Sequence, residues 1–104
     1  MAYGLSTSAF NQIIKVFYNF HQVNRVFIFG SRALGRYREG SDIDLAIEAN
    51  SLSWDDILKL GIQLDDLMLG YSFDLVHITD NLDPNLLDHI RRVGILIFDR
   101  KKSL

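Results

Sequence analysis

The chain contains no cysteine, so disulfides and thiolate chemistry are excluded and a reducing cytosol is permitted. No apolar run among its 104 residues is long enough to span a bilayer. Met1-Ala2-Tyr3-Gly4 lacks a charged start and an apolar signal segment, so export is not expected and a cytoplasmic location is. Internal repeats, linkers and low-complexity segments are also missing. Charge of one sign is scarce: 11 basic residues stand against 13 acidic ones, a net −2. A non-specific grip on nucleic acid needs a basic face. Here basic residues gather only locally, at Arg32/Arg36/Arg38, Arg91/Arg92 and Arg100/Lys101/Lys102. Such clusters suit a nucleotide-sized anion better than a duplex, and the terminal trio reads as solvated surface.

What is present is an ordinary globular composition, 48% hydrophobic and 23% charged. The length suits one compact domain over residues 1–104 with a small core, for which burial against a partner would be unsurprising. Ser6, Thr7 or Ser8 can cap a first helix, whose Phe10, Ile13, Ile14, Phe17 and Phe20 recur at helical spacing. Val23 to Phe29 reads as a central strand, apolar on both faces from Val26. Gly30 breaks it, Ser31-Arg32-Ala33-Leu34 starts a short helix, and Gly35 to Gly40 is a loop. Asp42 to Glu48 is a second strand. Ser53 with Asp56 forms a capping box. The helix it opens carries Trp54, Ile57, Leu58, Gly61, Leu64, Leu67 and Met68 as its apolar face, widened by Leu60 and Ile62, and Gly70 ends it. Ser72 to Ile78 is a third strand. Asp83-Pro84 caps a last helix, using the only proline where a missing N–H costs nothing. Ile95 to Phe98 is a short strand and Asp99 to Leu104 a frayed tail. The order predicts an α/β fold, one mixed four-stranded sheet flanked by helices.

The chemistry concentrates between Phe29 and Leu45. Gly30-Ser31 ends the first apolar run, and Asp42-Ile43-Asp44 opens the next. Two positions apart on a strand, Asp42 and Asp44 share a face, with Cβ atoms about 7 Å apart. Carboxylates at that separation can converge on divalent ions, and Mg²⁺ suits a site completed by substrate phosphates. The short link between strands one and two predicts an antiparallel pair, and the helix before strand three predicts a parallel crossover. Asp74 then lies beside Asp42 and Asp44, next to N–H groups at a helix start that favour anions. Phosphate on one side and metals on the other is the layout of two-metal phosphoryl chemistry. Alone, Asp-X-Asp is a weak signal, because Asp42 could close the Gly40-Ser41 turn and Asp42/Asp44/Glu48 could be a solvated strand face. His21, His77 and His89 read as structural histidines.

Taken together, Gly-Ser-Arg-Ala-Leu-Gly, Gly-Ser-Asp-Ile-Asp-Leu-Ala-Ile and the later Phe73-Asp74-Leu75 resemble the signature of the DNA polymerase β-like nucleotidyltransferase superfamily. The short chain resembles its minimal nucleotidyltransferase (MNT) branch, which lacks an acceptor-binding domain. The resemblance implies that Gly30 and Ser31 hold the phosphates of ATP. It implies that Asp42 and Asp44 bind Mg²⁺, two ions in all, and that Asp74 binds the catalytic metal or helps deprotonate the acceptor. Arg32 and the Arg36-Tyr37-Arg38 loop could reach the triphosphate, although the motif does not set their roles and exposed loop charge is the plainer reading. Members of this branch pair with helical HEPN toxins as antitoxins and can adenylylate a tyrosine of that partner, with which the chain would assemble. Two other readings stay open: a binding antitoxin that neutralises by occlusion, and a transferase for a small molecule. Polymerisation of nucleic acid fits least.

Overall fold

The computed structural model describes residues 2–102. Its elements are α1 (Thr7–Asn19), β1 (Val23–Phe29), α2 (Gly30–Ala33), β2 (Ile43–Ala49), α3 (Trp54–Asp65), β3 (Phe73–His77), α4 (Pro84–Val93) and β4 (Ile95–Asp99), then a 3₁₀ turn, Arg100–Lys102. The strands form one sheet in the order β3-β2-β1-β4. β1 runs antiparallel to both neighbours, and β2 and β3 are parallel across the α3 crossover. The expected mixed sheet is therefore present, with β1 and β2 inside it. Strand ends differ from expectation by a residue: β2 starts after Asp42, β3 excludes Ser72 and Ile78, and β4 includes Asp99.

Alternation along β2 builds two layers of core. Ile43, Leu45 and Ile47 pack with Ile13, Phe17, Leu60 and Leu64 on the face covered by α1 and α3. On the other face Ala46 and Phe29 meet Ile90 of α4. The helix starts follow their caps. Ser6 Oγ accepts from Ala9 N at 3.1 Å, and the Ser53/Asp56 box closes through bonds of 2.9 and 3.1 Å. Asp83 Oδ1 accepts from Asn85 N at 2.7 Å, ahead of Pro84. Each such cap contributes about 1 kcal/mol.

Two expectations fail instructively. α3 stops at Asp65 rather than running to Gly70. Acidic Asp65 and Asp66 end it with no basic residue in its last turn, which opposes the helix dipole. Its inward face is also rotated from the expected one. Ile57, Leu60 and Leu64 turn to the core, while Trp54, Leu58 and Ile62 are exposed; past the helix end, Leu67 packs on the core and Met68 is exposed. The tail is the second. Instead of fraying, Arg100 reaches back to the end of α1, donating to the carbonyls of Val23 at 2.7 Å, Phe17 at 3.0 Å, Phe20 at 3.1 Å and Tyr18 at 3.2 Å. A guanidinium there satisfies carbonyls that a helix end leaves open. Ser103 and Leu104 lie outside the described residues. No helix among the described residues is long and apolar enough to cross a membrane.

The rotation of α3 is directly testable. Leu64 is 0% exposed and Leu58 is 49% exposed. Leu64→Ala should cost about 2–5 kcal/mol in urea unfolding, whereas Leu58→Ala should change stability by no more than about 0.5 kcal/mol.

Candidate active site

The sheet register assembles the site. Phe29, the last residue of β1, is paired with Asp44, and Asp44 is paired with Asp74 across the parallel β2–β3 ladder. Directly opposite residues share a face, so both carboxylates stand on the α4 side of the sheet. Asp74 is exposed and Asp44 half-buried. Gly30 turns the chain out of β1 with φ +71. A Cβ built there would collide with Asp44 Oδ2. Only glycine lets that carboxylate close over the turn, and glycine alone takes this φ without strain. Behind it, α2 begins with no side-chain cap, so its first N–H groups are open to an anion. The Ser31 carbonyl accepts from Arg36 N at 2.8 Å and closes the turn.

Asp42 is placed differently from expectation. It precedes β2 rather than lying on it, and is exposed. Its neighbour Ser41 is held on every side. Ser41 Oγ accepts from Arg38 N at 2.8 Å, and Ser41 N donates to the Arg38 carbonyl at 3.0 Å. Arg32 secures the Ser41 carbonyl through Nη2 at 2.8 Å and Nε at 3.3 Å, and donates Nη1 to the Tyr3 carbonyl at 2.8 Å. Its guanidinium lies 5.2 Å from the ring centre of Tyr37 and 5.0 Å from that of Tyr71. Arg32 is 3% exposed. These donors face backbone carbonyls, so within the chain its work is to set the loop that presents Asp42. Arg36 and Arg38 remain exposed in that loop.

The three acids lie within electrostatic reach of one another. Burial, then the negative charges of Asp74 and Asp42, pushes the Asp44 carboxyl above its ordinary value, and His89 and Arg32 oppose the shift. Sequence reasoning missed His89. It projects from α4 with its ring edge-on to Phe29, 6.0 Å between centroids and 80° between planes. The usable signal was position, since residue 89 follows Leu86 by three and precedes Ile90 on the face of α4 that meets the sheet. His77 and Glu48 lie farther along their strands, at the other end from the acids.

The polymerase β nucleotidyltransferase family matches residues 11–103. The chain belongs to this family. No curated protein matches its sequence. Among solved structures, it is similar to a toxin–antitoxin complex with AMP-PNP, at a TM-score of 0.74 and 24% identity over 86% of this chain and 73% of the other. It is similar to the complex of a tri-AMPylated Shewanella oneidensis HEPN toxin with its MNT antitoxin, at 0.70 and 20% identity over 95% and 76%. An MntA–HepT toxin–antitoxin structure matches at 0.69 and 21% identity over 94% and 76%. At these identities the likeness concerns the fold.

The residues of this nucleotidyltransferase suit a cation. Crowded carboxylates raise one another's charge cost, and a divalent ion relieves it. As the side chains stand, however, no group of three acids or histidines among the described residues closes into a ready metal cage. An open set fits Mg²⁺, which keeps water and takes phosphate oxygens. A cleft of about 640 Å³ lies at the opposite end of the sheet, lined by Asn24, Glu48, Asn50 and Lys101 among others, and holds none of Asp42, Asp44 and Asp74.

Two outcomes are expected here. A carboxyl whose folded pKa is raised favours the fold only while protonated. Its ionisation therefore subtracts stability as pH rises from the ordinary 3.8 through the raised value. In chelator-treated buffer Asp44→Asn should be more stable than the wild type near neutral pH, and the gain should vanish below pH 3.8, read by thermal melts across pH. Arg32→Lys cannot keep bonds to both carbonyls and should lose about 1–3 kcal/mol in urea unfolding.

Proposed function

We propose that residues 1–104 form a domain that transfers AMP from ATP to a hydroxyl of a partner protein, acting in the cytoplasm as the antitoxin of a HEPN-type toxin. The acceptor is a tyrosine of that toxin. The observation that carries the reading is the register of Phe29, Asp44 and Asp74, which sets two carboxylates on one face beside the Gly30 turn. The family match supports transfer chemistry, and the similar structures with AMP-PNP or an AMPylated HEPN toxin support the nucleotide and the partner.

In this reading Gly30 and Ser31 seat the phosphates against the open N–H groups of α2. Asp42, Asp44 and Asp74 would hold Mg²⁺, in a pair of ions, supplying Lewis-acid stabilisation of the charge on the phosphate oxygens. Arg32 orients the Asp42 loop rather than contacting phosphate. The acceptor oxygen forms a bond to the α-phosphorus, the bond from that phosphorus to the bridging oxygen breaks, and pyrophosphate leaves. The acceptor proton passes to the Asp74 carboxylate and on to solvent. A second reading, neutralisation by occlusion alone, is favoured by one observation, the apolar face that α3 leaves exposed.

The test is label transfer from ATP carrying phosphorus-32 at the α-position, with Mg²⁺ and a lysate of the source cells. One labelled protein is expected, absent with γ-labelled ATP. Asp44→Asn should reduce its labelling by about a hundredfold or more. Labelling by Asp44→Asn near the wild-type rate would sink the assignment, and capture of a partner without label by both forms would favour occlusion.

A further inference from the structure

α3 turns an apolar face to solvent. Trp54, Leu58 and Ile62, spaced four apart, are 73%, 49% and 59% exposed. Beside them runs β3, an edge of the sheet. The Ser72 carbonyl accepts from Ile43 N and Ile78 N donates to the Ile47 carbonyl, each at 2.9 Å. In a parallel ladder that alternation turns the backbone of Asp74 and Val76 to β2 and the backbone of Phe73, Leu75 and His77 outward. Natural sheets guard such an edge with charged side chains, lysine above all, with proline, with a bulge or by keeping the strand very short. β3 has no lysine, proline or bulge, carries its one acid, Asp74, on the face away from Phe73 and Leu75, and pairs with β2 in unbroken register.

Between the edge and α3 lies an open groove of about 300 Å³, lined by Leu58, Gly61, Ile62, Asp65, Phe73 and Leu75. That is the small end of the range for ligand pockets, so it suits side chains of a chain lying across it better than an enclosed small molecule. Gly61 is the telling residue. Glycine inside a helix costs about 1 kcal/mol relative to alanine. A Cβ at Gly61 would meet nothing within 4 Å, and its φ is not positive. Neither internal packing nor backbone geometry requires it. Its missing side chain leaves the groove floor clear. The helix is acidic on balance: Asp65 lines the groove, and Asp55 and, just past the helix end, Asp66 are also exposed, against one lysine on α3, Lys59.

We propose that the edge of β3 and the groove at Gly61 take an extended, cation-flanked segment of the acceptor protein as a fifth strand. This rests on the transfer reaction proposed above and adds how the acceptor is held. A residue opposite Asp74 in the added strand shares the face of Asp44 and Asp74. The residues before and after it face the groove with Phe73 and Leu75. The segment therefore reads apolar, acceptor, apolar, with lysine or arginine outside to meet the acids of α3. Backbone pairing supplies the affinity and the groove selects the alternate side chains.

The probes are two synthetic peptides with a valine–tyrosine–valine centre, one ended by lysines and one by glutamates. The readout is amide hydrogen exchange at Phe73, Leu75 and His77, without ATP or metal. The lysine-ended peptide should slow these amides by about tenfold or more, and the glutamate-ended one should not. Gly61→Leu should keep the melting temperature, since leucine is the better helix former and its Cβ has no atom within 4 Å, yet lose the protection. Absence of protection with both peptides, or protection unchanged in Gly61→Leu, overturns the proposal. So does an edge already protected in a dimer of the chain alone, which would assign it to a second copy. The two readings fail separately. Protection without any label transfer counts against the reaction, and label transfer that Gly61→Leu leaves unchanged counts against the docking edge.

Discussion

One buried cation, Arg32, ties this molecule together at the end of the sheet where the acids stand. The Arg32 guanidinium joins the N-terminal turn, through the Tyr3 carbonyl, to the loop before β2, through the Ser41 carbonyl. It does so between the rings of Tyr37 and Tyr71, which come from that loop and from the approach to β3. A buried charge is tolerated only when its donors are met and its surroundings polarise toward it. Here both conditions hold, and three segments distant in sequence are drawn to one point. The adjacent Asp42 inherits its position from that clasp. The same device recurs at the other pole, where Arg100 gathers the last carbonyls of α1 and binds the C-terminal turn to the first helix.

Between these poles the sheet does the positioning. β1 ends where β2 and β3 begin, because β1 is antiparallel to β2 and β2 is parallel to β3. One glycine turn and two carboxylates thus meet at a single edge without any long loop. Like charges directly opposite one another on neighbouring strands are unfavourable, and the carboxyl of Asp44 is raised above its ordinary value first by burial and then by Asp74 and Asp42. A fold chosen for stability alone would place apolar residues there. The acids there give up local consistency, which is the pattern expected of the site proposed above. His89, brought in by α4 against Phe29, tempers the charge from the third side.

The helix α3 shows the same division between interior and function. One side, Ile57, Leu60 and Leu64, builds the core, and the other carries Trp54, Leu58, Gly61 and Ile62 toward solvent beside a strand edge. A helix apolar most of the way round has two partners to satisfy. The core supplies one. The acidic, glycine-floored groove next to β3 lies on the side of the other.

Much of this was legible in the sequence because local chemistry carries it. Ser53 with Asp56, Asp83 before Pro84 and the glycine after Phe29 are short-range signals, and the structure keeps each. The alternation of Ile43, Leu45 and Ile47 against Asp44 and Ala46 was enough to sort the two faces of β2, since period two admits no other arrangement. The Gly-Ser and Asp-Ile-Asp spacing was enough to indicate the family. Other features had no local signature. Which side of α3 turns inward depends on how the crossover lands on the sheet, and an apolar arc running from Leu60 round to Ile62 leaves that open. Arg32 reads as a free loop cation until its carbonyl partners, Tyr3 and Ser41, are seen to converge on it. Arg100 reads as a tail charge for the same reason, its partners lying about eighty positions away. Caps and periodicity act over a few residues and belong to the sequence. Which distant carbonyl meets a cation is decided only when the chain has closed on itself.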